Sequence, residues 1–207
     1  DASLPTSLLF LDIPLVCLVI APCRQGASAS SVRSGYFLTD PYSVNWYAAD
    51  QYCLWRCPNC RLCTEAEWEK AARGGCELYE DCEKESRTYP WGEDHEYWNY
   101  AAVGNGSCNG EACEVASYPQ GASPYGIFDM AGNVWEYVKD RWHPSYEGAP
   151  TDGSAWLTGN WNVVKRGGDA VDASVTVYDR AETSMTYCHS SGGFRCCNGP
   201  ATDNDQG

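Results

Sequence analysis

Thirteen cysteines stand out among the reactive groups of this chain of 207 residues, beside nine Trp and fourteen Tyr. Thiolates are nucleophiles and soft-metal ligands, and in an oxidising compartment they close in pairs as disulfides. Cys17 and Cys23, Cys76 and Cys82, and Cys108 and Cys113 are spaced as small loops that a local bridge closes if the backbone turns back. Cys53, Cys57, Cys60 and Cys63 form a denser run, in which two successive Cys-x2-Cys steps also match a zinc-ligand spacing. No second such pair stands at domain distance, and the overall usage is that of a disulfide-rich, extracytoplasmic protein, so bridges are expected there too. Cys188 and Cys196 are further bridge candidates, and the odd total leaves at least one thiol unbridged within the chain, metal-bound or paired with another chain.

Oxygen donors offer a second chemistry. Between Gly121 and Glu136 the chain alternates turn formers (Pro124, Gly126, Gly132) with apolar anchors (Ile127, Phe128, Met130, Val134, Trp135), which predicts turn, strand, turn, strand. Asn133 and Glu136 sit beside the Gly132 turn, and with backbone carbonyls such as that of Val134 they supply the oxygen set that a hard cation such as calcium takes. The alternative is that Asn133 caps a turn and Glu136 faces water. Enzyme signatures of other kinds are missing. His95, His143 and His189 lie far apart without His-x3-His spacing, and there is no Gly-x-Ser-x-Gly and no glycine-rich phosphate loop. Asp169, Asp172 and Asp179 could supply acid–base groups, but loop carboxylates at this spacing are solvated by default.

The net charge of −14 excludes nucleic acid and anionic membrane surfaces as partners, because both would repel the chain. Half of that excess falls between Glu65 and Glu96, where eleven acidic residues face four basic ones, and a solvated acidic surface is the expectation. With 43% hydrophobic residues, a chain of this length buries one sizeable core. The apolar run from Leu8 to Ala21 is too short and too interrupted, by Asp12 and Pro14, to span a bilayer. It also lacks the basic start of a secretion signal, and Pro22 is a poor neighbour for a cleavage site.

The elements that must position these groups follow from caps and periodicity. Ser30 to Pro41 reads as a loop. Asn45 is an N-cap for a short helix whose buried face is Trp46, Ala49 and Cys53. Thr64 and Glu67 form a capping box for a second helix with Trp68, Ala71 and Ala72 as its buried stripe and Gly74 as its stop. Residues 75–120 read as loops pinned by bridges around a Tyr89-Pro90-Trp91-Gly92 turn, and Val134–Val138, Val163–Arg166 and Gly193–Cys197 read as strands. Two early helices followed by short strands in long loops make a single mixed α+β domain over residues 41–198. Residues 1–40 are a poorly defined N-terminal segment that reads as a truncated start of the domain, and 199–207 a polar tail.

Five blocks in fixed order, Arg61–Glu69, Tyr89–Gly92, Asp129–Glu136, Arg166–Gly168 and Gly193–Arg195, resemble the sulfatase-modifying-factor domain, the family of the formylglycine-generating enzymes. The resemblance implies a C-type-lectin-like variant of the α+β fold and a first calcium site at Asn99 and the carbonyl of Tyr100. It also implies a catalytic cysteine pair four and nine residues beyond the second glycine of Arg-Gly-Gly, suited to binding copper(I) and acting on a Cys-x-Pro-x-Arg segment of a sulfatase. Those positions here are Asp172 and Val177, and neither can do the work of a thiolate. Copper is therefore expected only if the chain is an oxidase after all. Cys63 stands where the family has Pro, which fits an extra disulfide, and Cys196, directly after Gly-Phe-Arg, fits a structural bridge.

The expectation is an extracytoplasmic domain that keeps the fold, and calcium, without the oxidase centre, and that serves as a binding or scaffold module. The loops from Trp142 to Trp161 and from Asp169 to Ser191 carry Tyr146, Trp156, Trp161, Tyr178 and Tyr187 among small polar residues, and Arg180 beside them; this composition suits contacts to a protein or glycan. The same aromatics could instead cover a loop-rich core. An active formylglycine-generating oxidase and a variable, lectin-like ligand-binding protein are the alternatives.

Overall fold

A computed structural model describes residues 17–20, 44–79, 87–104, 108–172, 175–188 and 191–199. The two helices start where their caps predict. The Asn45 side chain accepts from the Ala48 amide at the head of α1 (Trp46–Arg56), and Trp46, Ala49 and Cys53 are its buried face. For α2 (Glu65–Arg73), the Thr64 hydroxyl accepts from the Glu67 amide at 3.1 Å while the Glu67 carboxylate accepts from the Thr64 amide at 2.9 Å. A reciprocal cap of this kind stabilises by about 1 kcal/mol. Gly74 ends the helix at φ +90°, a conformation an L side chain resists.

The strands are β1 (Cys17–Ile20), β2 (Cys60–Leu62), β3 (Trp135–Arg141), β4 (Asn162–Arg166), β5 (Arg180–Ser184) and β6 (Gly192–Asn198). They form one sheet in the order β1-β6-β3-β4-β5, with β2 also on β6. The β3–β6 pairing is parallel and the others are antiparallel. Neighbouring strand residues point to opposite faces, and the core divides accordingly. Tyr137, Val163, Phe194 and Cys196 pack with Trp46, Ala49 and Cys53 of α1. Val138 and Val164 pack with Trp68, Ala71 and Ala72 of α2, so the helices cover opposite faces of the sheet.

Three strands escape the sequence reading. Residues Cys60–Leu62 are too few to show a period, and Arg180–Ser184 is a polar edge strand whose one buried residue is Thr183. Cys17–Ile20, inside the apolar run, pairs with β6. The expected loop at 30–41 lies outside the described residues.

The cysteine run is oxidised. Cys53 bridges Cys196, Cys57 bridges Cys60, and Cys63 bridges Cys197, which replaces the zinc reading with disulfides and accounts for Cys63 in the helix-leading position. Cys108 bridges Cys113 as its spacing predicts. Cys76 is also disulfide-bonded, whereas Cys23 and Cys82 lie outside the described residues. Cys188 is half-buried in the loop after β5.

Of the acidic stretch, Glu77, Glu93, Asp94 and Glu96 are exposed as expected, but its helical part is corrected. Glu65 is buried, and Glu67 and Glu69 pair with Arg61 and with Arg166, because helix α2 turns its carboxylates towards buried guanidinium groups rather than towards water.

Candidate functional site

Strand β4 ends at Arg166, and the two glycines after it set the geometry of the site. Gly167 and Gly168 take φ of +94° and +73°, and a Cβ on Gly168 would lie 2.4 Å from a Val175 methyl. The Gly132–Asn133 turn docks against them: the Gly132 amide donates to the Gly167 carbonyl at 2.7 Å, and the Ala170 amide donates to the Asn133 carbonyl at 3.1 Å. The two glycine turns that stood out in the sequence are therefore one structure.

Beyond this junction, Asp169 is buried and fully engaged. Its carboxylate accepts from the amides of Val171 and Asp172 and, at 2.5 Å, from the Ser191 hydroxyl. The Asp172 carboxylate accepts from the Asp169 amide, and its carbonyl accepts from the Gly104 amide, which makes Asp172 a turn residue. Val177 is fully buried among Trp68, Met130, Val138 and Val164. Lys165 lies with its Nζ 4.2 Å from the centre of the Trp135 ring. Burial pulls its pKa below the usual lysine value, and the negative charges of Asp169 and Asp172 oppose that pull. This arrangement holds carboxylates, an ammonium and an indole face, which can bind and orient a polar ligand; it offers no thiol for one-electron chemistry.

The oxygen donors expected to hold calcium are committed elsewhere. Glu136 is fully buried, and its carboxylate takes both Arg195 Nε and Nη2 at 2.5 Å and the Trp68 indole N–H at 2.7 Å. The Asn133 side-chain oxygen accepts from the Cys113 amide at 2.9 Å, and its amide group donates back to the Cys113 carbonyl. A divalent cation at Glu136 would sit beside the Arg195 guanidinium and compete with it for the same oxygens, so this donor set does not fit calcium. On the exposed surface, the Asn99 amide group donates to the Glu96 carboxylate, and the Tyr100 carbonyl packs against Gly121 so closely that a Cβ there would lie 1.7 Å from it.

The residues expected to contact a ligand divide into two sets. Trp161 is 78% exposed, with the Arg141 guanidinium 5.8 Å from its ring, and Tyr146, Tyr178 and Tyr187 are also exposed. Trp156 is half-buried, stacks on the His143 ring and donates its backbone amide to Asp140. Arg180 forks onto the Glu65 carboxylate at 2.8 and 2.9 Å and lies 4.5 Å from both the Trp142 and Tyr146 ring centres. Both are packing residues in this structure. Their neighbour Asp140 is buried, and desolvation pushes its carboxyl up to about 6 although the amides of Trp156 and Glu65 donate to it. Burial and the nearby Glu65 charge push the Tyr146 hydroxyl up to about 12.

Sequence reasoning missed the partners of the buried arginines. Arg166 and Arg195 stand in the quoted blocks, but the carboxylates they meet, Glu65 and Glu69 for the one and Glu136 for the other, are 59 to 101 residues away. Buried charge must be paired, so the blocks did carry a signal that each arginine has an acidic partner, without naming it.

Residues 37–199 match the FGE-sulfatase family, described as the sulfatase-modifying factor enzyme 1-like domain. The chain is 31% identical over 167 residues to the formylglycine-generating enzyme of Mus musculus, a match covering 74% of this chain and 42% of that protein. It is 32% identical over 173 residues to the inactive C-alpha-formylglycine-generating enzyme 2 of Bos taurus, covering 75% of this chain and 49% of that one. It thus spans less than half the length of either relative. Among solved structures, PvdO from Pseudomonas aeruginosa superposes with a TM-score of 0.63 at 27% identity, covering 76% of this chain and 61% of that one.

Proposed function

Because the chain belongs to the sulfatase-modifying factor enzyme 1-like family, we propose that it is a formylglycine-generating-enzyme-like domain working outside the cytoplasm as a binding or scaffold module, without oxidase activity. Relatives named as an active and as an inactive enzyme are equally similar to it, so the decision rests on its own residues. The observation that carries the reading is the use made of the two positions where the family resemblance calls for thiols: Val177 fills the core beneath Trp68, and Asp172 closes a turn with Asp169. Neither side chain can bind copper(I) or pass electrons to oxygen. The disulfides support an oxidising compartment, and no helix among the described residues is long and apolar enough to cross a membrane.

The ligand side of the proposal rests on the exposed aromatic surface of Trp161, Tyr178, Tyr146 and Tyr187, which suits protein or glycan contacts; the Tyr146 and Tyr178 hydroxyls are already held by Glu65 and by the Arg87 carbonyl. The proposal does not rest on calcium, since the Glu136 carboxylate is engaged by Arg195. The test is to incubate the protein with copper, reductant, oxygen and a Cys-x-Pro-x-Arg peptide and to look for the aldehyde by mass spectrometry. No conversion is expected. Conversion that disappears on mutating cysteines of this chain would show that the catalytic pair has moved.

A further inference from the structure

Two of the described disulfides join parts of the chain far apart in sequence. Cys53–Cys196 spans 143 residues and Cys63–Cys197 spans 134, and all four cysteines are less than a tenth exposed. Cys57–Cys60 is different in kind. It closes a Cys-Pro-Asn-Cys turn between the last residue of α1 and the first of β2, with Arg56, Pro58 and Asn59 exposed and Cys57 half-buried. The turn is held without its sulfurs by the Cys60 amide on the Cys57 carbonyl (3.1 Å), by the Gly199 amide on the Asn59 carbonyl (3.2 Å), and by pairing of β2 with β6.

A bridge stabilises the fold by restricting the unfolded chain, and by linkage the fold stabilises the bridge against reduction by the same amount. That mutual stabilisation grows with the length of chain enclosed, so it is large for the two long cross-links and smallest for a four-residue turn. Exposed bridges that are weakly coupled to folding are the ones that reducing thiols reach first.

We propose that Cys57–Cys60 is a thiol–disulfide exchange site that accepts electrons from a dithiol without unfolding the domain. A donor thiolate attacks Cys57 Sγ, the S–S bond breaks, and Cys60 leaves as a thiolate. The donor's second thiolate then attacks its own sulfur in the mixed disulfide and releases Cys57. Two electrons and two protons pass from the dithiol to the pair, and the donor becomes a disulfide. Cys57 is the attacked sulfur because Cys60 is 9% exposed at the start of β2. This site is separate from the binding reading and does not depend on it.

The test titrates the whole folded protein with dithiothreitol, alkylates the freed thiols and maps them by mass spectrometry. Cys57 and Cys60 should become labelled at about tenfold lower dithiol than Cys53, Cys196, Cys63 and Cys197, with the circular dichroism unchanged. As a second arm, Cys60→Ser leaves a thiol at 57 and Cys57→Ser leaves one at 60. The thiol in Cys60→Ser should form a mixed disulfide with an aromatic disulfide reagent about tenfold faster. Reduction of either long cross-link before Cys57–Cys60, or equal rates for the two serine variants, would overturn the proposal.

Discussion

The two faces of the sheet are closed by different physics. Beneath α1 the contacts are mainly apolar, with Trp46, Ala49, Tyr137, Val163 and Phe194; the Cys53–Cys196 bridge fastens the helix to β6, and Lys139 of β3 pairs with Asp50 of the helix at 3.0 Å. Beneath α2 the same strands present Glu136, Arg166 and Arg195, all buried, alongside Val138 and Val164. Arg195 meets Glu136, and Arg166 meets Glu65 and Glu69 while also donating to the carbonyls of Val177 and Tyr178. An apolar face tolerates small changes of shape, whereas a charged face fixes one geometry because any lost partner leaves a charge in low dielectric. On the charged side Arg166 also braces the loop at Val177 and Tyr178 through their carbonyls, and Arg195 braces that at Phe128 and Asp129.

The sharpest way to break this comparison is to remove one charge. Arg195→Ala should destabilise by about 3–5 kcal/mol, since it leaves the Glu136 carboxylate buried and unpaired, whereas replacing both partners by apolar residues should cost far less. Urea denaturation of the single and double variants measures both. On the other face, replacing Cys53 and Cys196 together by Ala should cost about 2–5 kcal/mol, read as a fall in the urea midpoint, because the loop they close is long.

Asp140 gives the charged side a pH dependence. Its folded pKa of about 6 lies above the ordinary 3.8, so the folded state holds the proton more tightly than the unfolded chain. That contribution is complete below pH 3.8 and lost as pH rises through about 6, amounting to about 2–3 kcal/mol. Asp140→Asn should flatten the fall in stability across this window; an unchanged slope would assign it to other groups. The smallest expected effect is that of calcium. Chelation should leave the melting midpoint within about 1 °C, and a rise of several degrees on adding calcium would mean that Arg195 gives up Glu136 to the ion.

Much of the fold was legible because its signals are local. The Asn45 cap and the Thr64–Glu67 box each concern residues three positions apart, and the stripes of Trp46 and Trp68 repeat within one helix. Strand β5 was not legible, since an edge strand needs no apolar alternation. The cysteine positions predicted bridging, and the short Cys108–Cys113 loop put a local partner within reach, but Cys53–Cys196 and Cys63–Cys197 depend on α1 and β2 lying beside β6, which no spacing records. At the site, the sequence alone placed Asp172 and Val177 where the family resemblance implies thiols. The engagement of Glu136 was not, because a carboxylate beside a glycine turn looks the same whether it awaits a cation or a guanidinium 59 residues away.

The account turns on position 177 being core rather than site. The most direct measurement is the labelling rate of Val177→Cys by a thiol reagent in the native protein, located by mass spectrometry and compared with Val171→Cys, whose parent side chain is 54% exposed. The thiol at 177 should stay protected until the protein unfolds while that at 171 reacts at once. Equal labelling of the two in the folded state would mean that an open pocket reaches position 177, and the reading of this domain as a closed, non-oxidase member of its family would be wrong.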